Sequence, residues 1–265
     1  MKKNKVVLKT GLTKLDAMIG GFKAGELTVI AGRPSMGKSA FLYTIINNGA
    51  VEVKKRPYVV CFQPDSSTIE TRFRLDCLNT RVDLYEASRW RVTNDEFRRL
   101  KRAHKKIFDE LKIWMCNMGI KTLCRIRKAA MDLYKTRHLK VIAIDYLQLL
   151  MSDSGRPLSR KDATKLCASL KKLAKQLNIV IILLSQVPRA IERRKPQIPI
   201  LSDLKKYGEI EKYADKILFI YREEYYNPTD ENEGAAKIIV AKNRDGQVGI
   251  MDVKFTRKCL RFDNA

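Results

Sequence analysis

The sequence predicts an α/β protein with a mainly parallel twisted sheet, helices on both faces and a C-terminal antiparallel hairpin. Short, almost wholly apolar segments recur along its 265 residues, and amphipathic helical patterns lie between them. Strands that are apolar throughout are typical of a parallel sheet buried on both faces. Alternation of strands with helices favours a doubly wound arrangement. We expect one domain that spans residues 1–265, with residues 1–10 as a short N-terminal extension.

Five apolar segments are the predicted central strands. They cover residues 27–31, 58–62, 141–145, 179–185 and 216–221. Two later segments, 237–241 and 250–255, flank Asp245 and Gly246, a dipeptide that is common in hairpin turns. These two segments therefore predict the antiparallel hairpin that closes the sheet.

Residues 160–177 form the clearest helical pattern between the strands. One face of this pattern is a leucine stripe and the opposite face carries lysines, as in an amphipathic helix with one buried side. The stripe consists of Leu166, Leu170, Leu173 and Leu177, and the lysines are Lys165, Lys171, Lys172 and Lys175. The pattern predicts a helix whose leucines pack against the sheet.

Residues 94–111 give a second amphipathic pattern, with Asn94 as the predicted N-cap. The residues expected to face inward are Phe97, Leu100, Ile107 and Leu111. The outer face is strongly basic. It is either a contact surface for DNA or an ordinary solvated face.

The charge of the chain is unusually positive. Lysine and arginine total 53 against 29 acidic residues, which gives a formal charge of +24. Such an excess favours a polyanionic partner, with nucleic acid the first candidate, and a basic surface kept for solubility is the alternative. The sequence has neither an apolar segment long enough to span a membrane nor an apolar signal core. We therefore expect a cytoplasmic protein without a membrane partner, in a bacterium or in the host of a phage or mobile element.

The segment 32–39 matches the pattern G-x-x-x-x-G-K-[ST] between a predicted strand and a predicted helix. It reads Gly32, Arg33, Pro34, Ser35, Met36, Gly37, Lys38 and Ser39. The glycines let backbone N–H groups surround phosphates, and the helix N-terminus adds partial positive charge. Lys38 would reach the β- and γ-phosphates, and Ser39 would ligate Mg²⁺. The pattern predicts binding of ATP with Mg²⁺; a chance glycine turn before a surface lysine is the alternative.

Polar residues follow three of the predicted strands, where ligands of open parallel sheets bind. Asp145 ends the segment 141–145, Asp65 follows 58–62, and Gln186 follows 179–185. We predict that Asp145 is the Walker B aspartate that holds Mg²⁺. Asp65 could orient and activate the attacking water, and Gln186 could sense the γ-phosphate. Asp65 and Gln186 are equally open to interpretation as ordinary polar groups at strand ends.

The order and spacing of several motifs resemble the C-terminal domain of the DnaB-type replicative helicases, a RecA-like P-loop NTPase. The matching residues are the segment 32–39, the run from Asp145 to Leu150, Ser185-Gln186, Asp203-Leu204, Gly208, Ile210-Glu211 and Ala214-Asp215. The segments 10–16, 20–21 and 242–246 also match, so the resemblance covers nearly the whole chain.

The resemblance implies a homo-oligomeric ring, usually of six subunits, with ATP at each interface and single-stranded DNA in the central channel. Catalytic roles in one subunit would fall to Lys38, Ser39, Asp145 and Gln186. A loader, a primase or another replication protein is a further partner that the resemblance suggests.

In the same family pattern, Lys242 and Arg244 would come from the neighbouring subunit and neutralise the phosphate charge that develops during hydrolysis. These residues are two apart on a predicted strand and therefore point the same way. Two cations on the solvent face of an edge hairpin remain the alternative.

The family places DNA contacts on two loops, which here are residues 152–161 and 188–208. Both loops are polar and basic, and few aromatic residues interleave, so tracking of the phosphate backbone is favoured over base stacking. The predicted DNA-binding residues are Arg156, Arg160, Lys161, Arg189, Arg193, Arg194, Lys195, Lys205, Lys206 and Gly208.

The sequence departs from the family pattern at two positions of the predicted site. Asp65 stands where the family carries a catalytic glutamate. The carboxylate would retreat by roughly 1.5 Å, and a misplacement of about 1 Å can cost on the order of 100-fold in rate. Hydrolysis is therefore expected to be slow unless the backbone shifts inward. Lys205-Lys206-Tyr207 replaces Arg-Glu-Ser, which should raise non-specific DNA affinity.

Residues 1–10 alone precede the Gly11 motif. We therefore expect a stand-alone ATPase domain without the family's N-terminal domain. Its ring would then need DNA, nucleotide or a partner protein to assemble.

Two functions of different classes fit these observations. The first is an ATP-dependent DNA helicase or translocase subunit that acts on single-stranded DNA in replication. The alternative is a nucleotide-gated DNA-binding or recruitment protein with weak or no ATP turnover. A recombinase-like or clock-type RecA ATPase would share the nucleotide residues but not the 145–148 and 203–215 patterns.

Overall fold

The computed structural model describes residues 5–52, 57–64, 67–106, 112–116, 119 and 121–265, with no side chains described for 50–52. The helices are α1 Thr13–Ile19, α2 Lys38–Glu52, α3 Thr68–Thr80, α4 Leu84–Ser88, α5 Asn94–Lys105, α6 Leu123–Arg137, α7 Arg160–Leu177 and α8 Ile210–Tyr213. The strands are β1 Val6–Leu8, β2 Phe22–Lys23, β3 Leu27–Gly32, β4 Tyr58–Phe62, β5 Ile113–Cys116, β6 Leu139–Ile144, β7 Val180–Gln186, β8 Lys216–Tyr221, β9 Ala235–Asn243, β10 Gly249–Thr256 and β11 Arg261–Asn264.

One large sheet organises the described residues. Its strand order is β11-β10-β9-β8-β3-β7-β6-β4-β5, and β8 to β5 in that order pair in parallel. The strands β9, β10 and β11 pair antiparallel at the other end. The predicted fold class, a mainly parallel sheet with a C-terminal antiparallel hairpin, is confirmed.

Helices cover both faces of this sheet because neighbouring strand residues point to opposite sides. On β6, Val141 belongs to a core shared with α1, α2 and α3, whereas Ile142 belongs to a core shared with α6, α7 and α8. The five central strands predicted from apolar segments all form, with end shifts of two residues or fewer. Within the described parts of the chain, no helix has the length and apolar character that a membrane crossing requires.

Helix α7 begins and ends where the leucine stripe predicts. Ser159 and Asp162 form a capping box at its start, and Leu166, Leu170, Leu173 and Leu177 are buried. Lys171 is the exception to the predicted lysine face. Its Nζ lies 2.6 Å from Asp215 and donates to the Gly25 carbonyl at 2.7 Å. Lys171 therefore links α7 to the edge of the sheet at which the parallel strands begin.

The prediction for α5 was wrong in two details. Thr93, not Asn94, is the N-cap, because its hydroxyl accepts from Glu96 N while Glu96 accepts from Thr93 N. Phe97 is 49% exposed, since α5 packs mainly against α3 at the rim of the molecule. Leu100 does pack inward. The predicted inward residues Ile107 and Leu111 lie outside the described residues.

Candidate nucleotide and nucleic-acid sites

The phosphate loop, residues 32–39, lies at the predicted strand-to-helix turn. β3 ends at Gly32, α2 begins at Lys38, and Gly37 turns the chain with φ +91°. A Cβ at Gly37 would lie 3.0 Å from the Phe262 ring, so glycine is required both for conformation and for space. The N-terminus of α2, a 15-residue helix, thus faces the loop with its free N–H groups.

The side chain of Lys38 turns back over this loop and is only 8% exposed. Its Nζ donates to the Arg33 carbonyl at 2.9 Å. Burial lowers the pKa of Lys38 to about 8, an effect that Asp145 partly opposes and Arg33 reinforces. The ammonium is therefore desolvated and already placed beside the amides that would surround a phosphate.

Asp145 follows β6 directly and reaches across to the start of α2. Its carboxylate lies near the Ser39 hydroxyl, which lowers the pKa of Asp145. Burial is the larger effect and raises the pKa of Asp145, against the opposing effects of Ser39 and of Lys38. A hydroxyl and a carboxylate side by side fit Mg²⁺, which binds proteins through one or two such groups and completes its shell with phosphates and water. Mg²⁺ bound in this way does not need a cluster of three acidic, cysteine or histidine side chains. The described residues contain no such cluster.

Gln186 ends β7 directly beside Gly32 in the parallel register. Gln148, which the sequence reasoning left without a role, holds this strand end. Its Oε1 accepts from Gln186 N at 3.1 Å, and its Nε2 donates to Ser185 at 3.2 Å. Gln148 lies within the run 145–150 that matches the family motif, and this match was the feature of the sequence that could have indicated a role for Gln148.

Two arginines support the phosphate loop, and sequence reasoning did not anticipate the contacts of either. Arg33 forms an ion pair with Glu192 at 2.7 Å. Arg222, which follows β8, donates to the Ser35 carbonyl at 3.0 Å and forms a buried ion pair with Glu224. These contacts tie residues 33 and 35 of the loop to the segments that follow β7 and β8, the two neighbours of β3.

The predicted water-activating Asp65 lies outside the described residues. The chain just before it is well anchored, because buried Gln63 hydrogen-bonds to Tyr43 and accepts from Thr71 at 2.7 Å. These contacts hold the end of β4 beside α2 and α3.

The two predicted DNA-binding loops meet at the start of α7. Gly208, with φ +93°, packs so closely that a Cβ would lie 2.5 Å from Thr164 Oγ1 and 2.6 Å from the Arg160 carbonyl. Glu209 N also donates to Thr164 at 3.0 Å. Gly208 is buried, which assigns it a role in holding the loops together and leaves little room for direct contact with DNA.

Most of the other predicted DNA-binding residues are exposed, as phosphate contacts require. The exposed residues are Arg156, Arg160, Lys161, Arg189, Arg193, Lys195, Lys205 and Lys206. Arg194 differs, since it forms a bidentate ion pair with Asp203 at 2.8 and 3.2 Å. Arg194 therefore braces its own loop.

Lys242 lies on β9, whereas Arg244 lies one residue past its end and not on the strand as predicted, yet both contact α8. Lys242 donates to the Glu211 carbonyl, and Arg244 donates to the Lys212 carbonyl at 3.0 Å and lies 3.6 Å from Asp215. They stand beside the start of β8, whereas the phosphate loop follows the end of the parallel neighbour β3. The pair therefore lies at the opposite edge of the sheet from the phosphate loop of its own chain.

These features define a class of protein. A phosphate-loop sequence between a buried strand and a helix, with an acid after a nearby parallel strand and a glutamine at the end of the adjacent one, is the arrangement typical of a RecA-like P-loop ATPase. The chain belongs to the DnaB-like helicase C terminal domain family, whose model matches residues 7–264.

Individual relatives agree with this assignment. The chain is 32% identical over 259 residues to the replicative DNA helicase DnaB of Geobacillus stearothermophilus, a match that covers 97% of this chain and 56% of the relative. It thus spans little more than half the length of that relative. A solved structure of an ATPase domain is 29% identical, with a TM-score of 0.89 over 100% of this chain and 93% of the other. A solved structure of a DnaB-like replicative helicase and its interactions with primase is 29% identical in sequence, with a TM-score of 0.90. The match covers 99% of this chain and 63% of the other.

Proposed function

We propose that this chain is the ATP-hydrolysing motor of a DNA helicase or translocase that acts on single-stranded DNA in replication, within a hexameric ring. One observation carries the proposal. The strand end that bears Gln186 lies beside the phosphate loop and leads directly into the basic loop 188–208. Nucleotide and DNA would therefore act on one continuous segment of backbone.

Within one subunit, the phosphate loop would bind the triphosphate through backbone amides and Lys38. Ser39 and Asp145 would hold Mg²⁺, which supplies charge neutralisation at the β- and γ-phosphates. Gln186 would contact the γ-phosphate, and Asp65 would orient the attacking water. The buried setting of Lys38 strengthens its attraction for phosphate, since fewer water molecules screen it.

Lys242 and Arg244 would act on the nucleotide of a neighbouring subunit. Their place at the sheet edge opposite their own phosphate loop favours this role, because a head-to-tail interface brings opposite edges of two copies together. Their present partners are backbone carbonyls of α8 and, for Arg244, the Asp215 carboxylate at 3.6 Å. Phosphate oxygens could replace the carbonyls as acceptors.

Nucleotide affinity should fall as the pH rises above about 8. The pKa of Lys38 is lowered to about 8, so above that pH the free protein loses the proton that the bound phosphate requires. The dissociation constant for ATP should rise by up to about tenfold per pH unit until the pKa of the complex is reached. Calorimetric titration with ATP at several pH values measures this change. A Lys38→Arg variant stays charged and should lack it; the same pH dependence in that variant would contradict the assignment.

The function is tested with a forked DNA duplex. The purified protein, with ATP and Mg²⁺, should separate the strands, and mass measurements with ATP analogue and single-stranded DNA should show a hexamer. A protein that binds nucleotide and DNA but separates no strands, at any ATP concentration and with partner proteins added, would contradict the motor assignment.

A nucleotide-gated DNA-binding protein with weak turnover is the second candidate. The shorter acid at position 65 favours it, because the carboxylate would stand about one carbon–carbon bond, roughly 1.5 Å, too far back. Asp65→Glu should then raise the hydrolysis rate, by up to on the order of 100-fold. Unchanged turnover in Asp65→Glu, with substantial turnover in the parent, would argue against a weakened site.

Partners follow from the same proposal. A homo-oligomer completes the nucleotide site, and a loader or a primase would be bound through the assembled ring. Replication in the cytoplasm of a bacterium, or of the host of a phage or mobile element, is the proposed setting.

A further inference from the structure

Arg33 connects the phosphate loop to the segment that leads into the DNA-binding loop. Its guanidinium group donates to Glu192 from Nε at 3.0 Å and from Nη2 at 2.7 Å, and to the Val187 carbonyl from Nη1 at 2.9 Å. Val187 N in turn donates to the Gly32 carbonyl at 3.1 Å. The first two residues of the phosphate loop are thus bonded to both ends of the segment 187–192.

Glu192 lies within a short 3-10 helix, Arg189–Arg193, which carries two of the exposed DNA-binding arginines. The next residue, Arg194, forms the bidentate ion pair with Asp203 at 2.8 and 3.2 Å. Asp203 also caps the 3-10 helix Leu201–Tyr207 by accepting from Ile200 N at 2.8 Å. A displacement of Glu192 would therefore move both halves of the basic loop.

The other end of this connection is Lys38. Its ammonium donates to the carbonyl of Arg33, the residue whose side chain holds Glu192. A phosphate that enters the loop attracts the same ammonium, so the peptide group of Arg33 must share or lose a charge-assisted hydrogen bond. Binding of phosphate in the loop therefore changes the hydrogen bonding of Arg33, the residue whose side chain holds Glu192 of the segment 187–192.

We propose that the Arg33–Glu192 ion pair is the positioning contact through which nucleotide binding sets the affinity of the loop 188–208 for single-stranded DNA. This inference rests on the proposed function. The pair is suited to transmit a shift because Arg33 is nearly enclosed, with 10% of its side chain exposed, while Glu192 is 39% exposed at the start of the loop. Neither side chain is required to touch nucleotide or DNA for this role.

The test compares single-stranded DNA affinity with and without a non-hydrolysable ATP analogue. Glu192→Gln keeps the shape of the side chain and removes its charge. The wild-type protein should bind DNA at least about tenfold more tightly with the analogue, within the usual range of coupling between sites. In Glu192→Gln this ratio should fall below about threefold, while analogue affinity measured without DNA stays close to that of wild type. Glu192→Asp, which keeps the charge, should recover part of the ratio.

Glu209→Gln is the matched control, because Glu209 directly follows the loop 188–208 and pairs only loosely with Lys212, at 3.6 Å. It removes the same charge, so both variants should gain DNA affinity in the absence of nucleotide. Glu209→Gln should nevertheless keep the wild-type ratio. A wild-type ratio in Glu192→Gln, or an equal loss in both variants, overturns the inference alone. A wild-type protein with no response to the analogue overturns the proposed function itself.

Discussion

Replacing Lys38 with alanine is expected to lower the rate of ATP hydrolysis by about 100- to 1,000-fold, the usual cost of removing one charge-stabilising donor from a transition state. The Lys38 ammonium lies over the phosphate loop, 2.9 Å from a loop carbonyl and beside Asp145, whereas the Arg33 guanidinium is paired with Glu192. Its loss removes positive charge where the β- and γ-phosphates would lie. Initial rates of phosphate release measure the effect.

Two further variants separate charge from shape and position. Lys38→Met keeps most of the side-chain volume and should be as inactive as Lys38→Ala. Lys172→Ala removes an exposed lysine of α7, far from the loop in the fold, and should hydrolyse ATP at the wild-type rate. A Lys38→Ala protein that keeps more than about a tenth of the wild-type rate would contradict the role of Lys38. Such a protein would have lost less than half of the transition-state stabilisation that a decrease of about 100-fold in rate represents.

Arg244→Ala should abolish hydrolysis as completely as the loss of Lys38, yet a mixture of the two inactive proteins should recover activity. A cation supplied by a neighbouring subunit contributes about 10³- to 10⁵-fold to phosphoryl transfer. In mixed rings, the intact phosphate loop of an Arg244→Ala subunit can face the intact Arg244 of a Lys38→Ala subunit. With random assembly from equal amounts and independent sites, activity should return to about a quarter of wild type.

This recovery distinguishes a shared site from a self-contained one. The subunits are mixed before nucleotide and DNA are added, and hydrolysis is then measured with single-stranded DNA present. A mixture of Lys38→Ala with Lys38→Met shares one defect and should stay inactive. If the mixture of Lys38→Ala with Arg244→Ala stays inactive as well, although both proteins assemble into rings, Arg244 does not act across the interface.

The strands and the phosphate loop could be predicted because local sequence alone determines them. Apolar segments such as β7 are buried on both faces, and the glycines and Lys38 are spaced as a phosphate-binding turn requires. The elements that were not predicted are short or peripheral, because their sequences carry no clear apolar pattern. β11 contributes one fully buried residue, Phe262, within the sequence Arg261–Asn264, and so carries no apolar pattern.

The connections between distant segments could not be predicted from sequence. Arg33 and Glu192 are 159 positions apart, and their contact depends on the pairing of β3 with β7. Lys171 was placed on the solvent face by helical periodicity, but Asp215 at the start of β8 offers it a carboxylate. Phe97 was expected to face inward, yet α5 lies at the rim of the fold. Each case depends on which elements become neighbours, and periodicity within one element does not contain that information.

The rate of ATP hydrolysis by the wild-type protein, compared with and without single-stranded DNA, shows whether the nucleotide and DNA sites are coupled. Because the end of β7 lies beside the phosphate loop and leads directly into the basic loop 188–208, DNA should raise the rate several-fold, and the increase should weaken as salt is added. A rate no higher than that of Lys38→Ala, or a measurable rate that DNA leaves unchanged, would contradict this coupling.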